Sequence, residues 1–173
     1  MKKVRLYITD ILLLLVLVFL DQFTKALAVL KLKNKPAFPI INGIVEFNYL
    51  ENKGAAFGML QNQKIFFVFV AVVFLGVICF VLIKTPLDVK YRKLHILLVF
   101  ISAGAVGNLI DRLRLNYVVD FIYFSVINFP IFNVADIFVT VSTFILVFLI
   151  LFVFKDNDFY FLSFKEQKYR ELK

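Results

Sequence analysis

Asn108, Asp111, Arg112, Asp120, Asn133 and Asp136 crowd into the stretch from Gly104 to Asp136, which leaves one apolar run and enters another. Apolar spans normally shed such residues, because an ionisable group in hydrocarbon is costly or gives up its charge. Asp120 and Asp136 respectively end and begin apolar stretches on the same side. Two carboxylates held close together cannot both ionise, so they share one proton. One then takes a proton from water while the other donates to a carbonyl oxygen, which is aspartic-protease chemistry and needs no metal or cofactor. Asp136 falls in the first turn of its expected helix, where the macrodipole favours the ionised form. It is therefore expected to be the ionised member of a pair that titrates as a unit.

Other chemistries lack their parts. One His and one Cys build neither a usual zinc protease site nor a bis-histidine haem site within one chain. His95 sits at the far end of its apolar run from the carboxylates, and no Gly-x-Ser-x-Gly elbow occurs, so a Ser-His-Asp arrangement is disfavoured. Cys79, alone inside an apolar run, reads as a small buried or lipid-facing hydrophobe. No metal and no cofactor are expected. The carboxylates also have plainer readings, which spacing alone leaves open. Asn133 to Asp136 resembles a capping box, Asp120 could be solvated in a loop, and Asp111 with Arg112 could be a juxtamembrane ion pair. Asp21 and Lys25, four apart, could be a helical salt bridge and no more.

The elements that must carry these residues belong to a membrane. Of 173 residues 62% are hydrophobic and 18% charged, against roughly half and a quarter in soluble domains. Four spans are expected at about 7–30, 65–83, 94–113 and 135–154 of a single domain covering 1–173, with a polar tail at 155–173. The first run, with its basic start and Ala26-Leu27-Ala28, also resembles a cleavable signal peptide. The preferred reading keeps it as a span, with Asp21 and Lys25 paired on one face and Lys25 snorkelling outward. Between the first two spans, Pro36, Pro39 and Asn42-Gly43 punctuate β-prone residues around Ile40-Ile41 and Ile44–Leu50, which predicts a small strand-and-turn element. The connection from Asp111 to Phe132 is polar, with enough Tyr, Val, Ile and Phe to dip into the interface.

The net charge of +8 does not point to nucleic acid, because the basic residues flank the apolar runs and face lipid headgroups instead. The amino terminus, the Lys84–Lys93 turn and the tail carry twelve Lys and Arg, and the other two connections carry seven. Both termini are thus expected in the cytoplasm, with the polar cluster facing outward.

Five segments together resemble the lipoprotein signal peptidases, also called signal peptidase II. They are Asp21-Gln-Phe-Thr-Lys25, Phe47-Asn-Tyr-Leu-Glu-Asn52-Lys-Gly54-Ala-Ala-Phe57-Gly58, Gly104-Ala-Val-Gly-Asn108-Leu-Ile-Asp111-Arg112, Val119-Asp120-Phe121 and Phe132-Asn133-Val-Ala-Asp136. No motif position departs from the pattern; the long Phe-rich charged tail and the absence of Trp are unusual. The resemblance implies an α-helical integral membrane protein of four transmembrane helices with an outward-facing β element. It implies an aspartyl endopeptidase of the bacterial cell membrane that cuts prolipoproteins before a diacylglyceryl-modified cysteine. Asp120 and Asp136 match the catalytic aspartates, and Asn52 and Arg112 match residues that hold substrate. Asp21, Asn108, Asp111 and Asn133 match residues that support the site, while Lys25, Gly54, Gly58 and Gly104 match structural positions. The partners implied are diacylglyceryl-prolipoproteins and membrane lipids. Two rivals remain from the residues themselves: a proton-coupled transporter using the acids as a relay, and a non-catalytic lipid-binding subunit.

Overall fold

The computed structural model describes residues 2–54 and 59–163, so the expectations for Gly58 and for the tail beyond residue 163 lie outside it. Among the described residues, four α-helices and a three-stranded sheet position the site: α1 (Lys2–Leu32), β1 (Phe38–Ile41), β2 (Val45–Asn52), α2 (Lys64–Lys84), α3 (Arg92–Leu115), β3 (Val118–Phe124) and α4 (Val134–Phe152). Helix α2, helix α4 and the stretch Val89–Leu115 containing α3 are each long and apolar enough to cross a membrane. Helix α1 has 31 residues, about 47 Å at 1.5 Å per residue. It stops where Asn34 turns left-handed at φ 61°, two residues before Pro36. Helix α3 runs slightly past both expected bounds and ends on Asn116, also left-handed at φ 69°.

Helix α3 is central and packs on α1, α2 and α4. Small residues let it approach α4 closely, as interhelical packing in lipid demands. A Cβ on Gly104 would run into the Ala135 carbonyl and Val139, and one on Gly107 into the Asp21 carboxylate. Toward the other end the interface becomes apolar, with Ile78, Leu94, Leu97, Leu98, Ile101 and Leu149 buried together. The outward faces of α1, α2 and α4 carry exposed Leu, Val, Ile and Phe along their length. Cys79 is among these exposed residues.

The hairpin β1–β2 turns at Asn42-Gly43, where Gly43 adopts φ 72°, and pairs antiparallel with Phe38 opposite Phe47. Strand β2 then pairs antiparallel with β3, placing Leu50 opposite Asp120 and Asn52 opposite Val118. This third strand lies within the second polar connection, for which the sequence reading expects no strand. Val118-Val-Asp-Phe-Ile-Tyr-Phe124 is β-branched and aromatic, and an edge of β2 was available for it to join. The start of the expected polar tail folds back on the bundle. Asp156–Leu162 forms a 3-10 helix, the Tyr91 hydroxyl donates to the Asp158 carbonyl at 2.7 Å, and Phe154 and Phe161 pack on the Tyr91 ring.

Candidate active site

The site forms where the sheet meets the facing ends of α1, α3 and α4. Asn133 caps α4: its side chain accepts from the Asp136 N–H at 3.0 Å, and the Asp136 carboxylate accepts from the Asn133 N–H at 3.1 Å. The capping box expected as the plainer reading is therefore real. It also does more, because the free side of each residue turns to the site. Asn133 Nδ2 donates to Asp120 at 2.6 Å and to Asn108 Oδ1 at 3.1 Å. Asn108 Nδ2 donates to Asp136 at 2.8 Å. Strand register supplies the remaining contact: Asn52, diagonal to Asp120 on one face of the sheet, donates to its other oxygen at 2.9 Å. Asn52 is itself held by the Gly54 N–H at 2.9 Å.

Asp120 is only 2% exposed, so the solvated-loop reading does not hold. Burial, followed by the neighbouring charge of Asp136, pushes its carboxyl up to about 7, and the hydrogen bonds from Asn52 and Asn133 only partly offset this. Asp120 and Asp136 line one cavity of about 670 Å³, together with Asn52, Gly54, Asn108 and Arg112.

Behind this layer lies a second one. Lys25 Nζ sits 2.9 Å from Asp21, 3.1 Å from Asp111 and 2.9 Å from Asn108 Oδ1. It is 3% exposed, which corrects the expectation that it snorkels outward. An ammonium between two carboxylates and an amide oxygen has all three protons satisfied, so burial is tolerable. The two acids then stitch elements together. Asp21 accepts from the Ala135 N–H at 3.0 Å, an orphan donor in the first turn of α4. Asp111 accepts from the Val119 N–H at 3.0 Å and so anchors β3 to α3. Its charged partner is Lys25 rather than Arg112.

Arg112 instead stacks over Phe67, 4.6 Å from the ring centroid, and donates to the Gly54 carbonyl at 3.3 Å. Its fork of five donors retains capacity toward the cavity. All eleven candidate residues within the described chain thus meet at one end of the bundle. Sequence reasoning missed Gln22, which donates to Asp21, Asp111 and the Gly107 carbonyl at 3.0–3.2 Å, and Phe67 beneath Arg112. Gln22 lay inside a quoted motif, whereas a phenylalanine among 23 gave no signal. Among the described residues, no group of three or more His, Cys, Asp or Glu side chains is placed to hold a metal ion.

Residues 13–152 match the family model described as Signal peptidase (SPase) II. The chain belongs to the signal peptidase II family. It is similar to the lipoprotein signal peptidase of Caldanaerobacter subterraneus subsp. tengcongensis, 48% identical over 78% of this chain and 90% of that one. It is also similar to that of Streptococcus pyogenes serotype M5, 40% identical over 92% and 99%. Two solved structures described as bacterial membrane enzymes superpose with TM-scores of 0.75 and 0.73 at 30% and 31% identity. They cover 83% and 84% of this chain and 87% and 94% of their own. Signal peptidase II enzymes cleave signal peptides from prolipoproteins, and this chain is a membrane peptidase of that kind. The transporter and subunit readings are set aside.

Proposed function

We propose that Asp120 and Asp136 are the catalytic dyad of an aspartyl endopeptidase that hydrolyses the peptide bond before a diacylglyceryl-modified cysteine. The observation that carries this reading is their joint exposure to one cavity, with the Asp120 carboxyl pushed up to about 7. In this reading the pair shares one proton near neutral pH, with Asp120 as its donor member and Asp136 as its base. Asp136 takes a proton from a water as its oxygen attacks the scissile carbonyl, and Asp120 donates its proton to the carbonyl oxygen. Collapse of the tetrahedral intermediate returns a proton to the departing nitrogen, and the amine and carboxylic acid products leave. Asn52 and Asn133 orient Asp120, Asn108 orients Asp136, and the remaining donors of Arg112 hold the substrate backbone.

The chain acts as one domain with four spans, α1 being the fourth and remaining uncleaved because Asp21, Gln22 and Lys25 belong to the buried polar layer. Both termini lie in the cytoplasm and the cavity opens at the outer face of a bacterial plasma membrane, as the distribution of Lys and Arg supports. A substrate anchored there by acyl chains brings its scissile bond to the level of the cavity, so that positioning contributes much of the rate.

The test is a pair of synthetic prolipoprotein peptides, one diacylglyceryl-modified at cysteine and one unmodified, incubated with purified protein in detergent. Mass spectrometry should find a product beginning at the modified cysteine, and no cut in the unmodified peptide. Equal cleavage of both would exclude lipid-anchored positioning.

A further inference from the structure

Thr140 lies one turn after Asp136 on α4, about 6 Å farther from the start of the helix. Residues four apart share a helix face, and a helical side chain leans back over the preceding turn, so Thr140 sits below Asp136 with its side chain toward it. It lines the same cavity of about 670 Å³ and is exposed. A hydroxyl in an apolar helix can bond back to the carbonyl four residues earlier, as Thr9 and Thr85 do at 2.9 and 2.7 Å. The Thr140 hydroxyl does not: it makes no hydrogen bond among the described residues. Ser142 is buried on α4, and neither it nor Thr143 lines the cavity. Thr140 alone brings an α4 hydroxyl to it.

Resting on the peptidase reading, we infer that the Thr140 hydroxyl donates to a main-chain carbonyl of the signal peptide, on the amino-terminal side of the bond that is cut. An apolar segment crosses a bilayer as a helix. A carbonyl inside a helix is already bonded to the N–H four residues on, so the bond that is cut lies where the substrate helix has ended. That end leaves its last carbonyls without partners, and in a site shielded from water they are costly to leave unpaired. Few donors stand at that depth. Asn52 and Asn108 are level with the aspartates they bond, Arg112 lies a turn nearer the sheet, and Phe129 to Phe132 form a largely apolar wall. Thr140 is the lining residue farthest along α4. At about 3.3 Å per extended residue, its offset from Asp136 corresponds to roughly two residues. The hydroxyl thus meets the carbonyl of the third residue before the cysteine, fixes where the substrate helix stops, and so selects the bond that reaches the dyad.

The test compares wild type, Thr140→Val and Thr140→Ser on a synthetic diacylated prolipoprotein. Val keeps the shape without the hydroxyl, and Ser keeps the hydroxyl without the methyl. Thr140→Val should raise KM about tenfold, the loss of one hydrogen bond, with the unfolding temperature and the pH profile of kcat as in wild type. Thr140→Ser should recover most of that loss. A wild-type KM in Thr140→Val would overturn the contact, and so would equal impairment of both variants, which would assign the effect to packing. A substrate with an ester in place of the amide that contributes the carbonyl, a weaker acceptor, should lose affinity for wild type but nothing further with Thr140→Val. An undiminished penalty in Thr140→Val would overturn the assignment to that carbonyl. The affinities are also read by binding in an Asp120→Asn background, where no turnover is needed. Absence of cleavage by wild type would then refute the peptidase reading, while loss of the hydroxyl's effect on binding would refute the role of Thr140.

Discussion

At the scale of single residues, the proposed chemistry rests on two aspartates that line one cavity. Asp120 is buried on a strand and accepts from two amides, yet its carboxyl stays near 7 because burial and Asp136 outweigh them. A carboxyl with an ordinary value near 4 that is raised when folded binds a proton the unfolded chain has released. Stability therefore falls as pH rises from about 4 to about 7 and levels off above. Asp120→Asn removes that penalty: thermal unfolding in detergent should find the variant more stable than wild type at pH 8, with the difference vanishing near pH 4. Activity follows the same proton, so kcat/KM should decline above about pH 7 as the dyad loses it. A rate that rises steadily to pH 9 would contradict a shared proton. The residue types and the motifs they form made both aspartates legible in the sequence. The asparagine on which both depend was legible only in part, since Asn133 reads first as an ordinary helix cap.

At the scale of elements, buried charge replaces apolar packing where four elements converge. Lys25 on α1 holds Asp21 and Asp111, and those acids hold α4 and β3 through backbone N–H groups. Removing the cation leaves two buried carboxylates facing each other, so Lys25→Met should cost about 3–5 kcal/mol. A shift in unfolding temperature too small to resolve would show that Lys25 is a bystander. Gly107→Ala places a methyl against the Asp21 carboxylate and should lower activity through the same layer. The direction of Lys25 could not be read from the chain. Four-residue spacing pairs it with Asp21 on any helix, but only the approach of α3 brings Asp111 and Asn108 to close the cage. Strand β3 was missed for a related reason. Its residues favour extended structure anywhere, and pairing depends on β2, some seventy residues earlier.

At the scale of the whole molecule, the chain places a polar, water-accessible cavity at one end of an otherwise apolar bundle. Three of its helices were legible from hydropathy alone, as were their approximate bounds. The proposed orientation predicts that a single cysteine replacing Asn42, in a Cys79→Ala background, is labelled by an impermeant maleimide added outside intact cells, whereas one replacing Ser163 is not. The reverse pattern would invert the topology. The central claim remains the dyad, and one comparison tests it most directly. Wild type, Asp120→Asn and Asp136→Asn, each purified and shown to be folded, are given a synthetic diacylated prolipoprotein with and without chelator. Cleavage by wild type in both conditions and a loss of at least roughly a thousandfold in each variant is the result expected when either member of a shared-proton pair is removed. Comparable cleavage by all three proteins would place the chemistry on other residues.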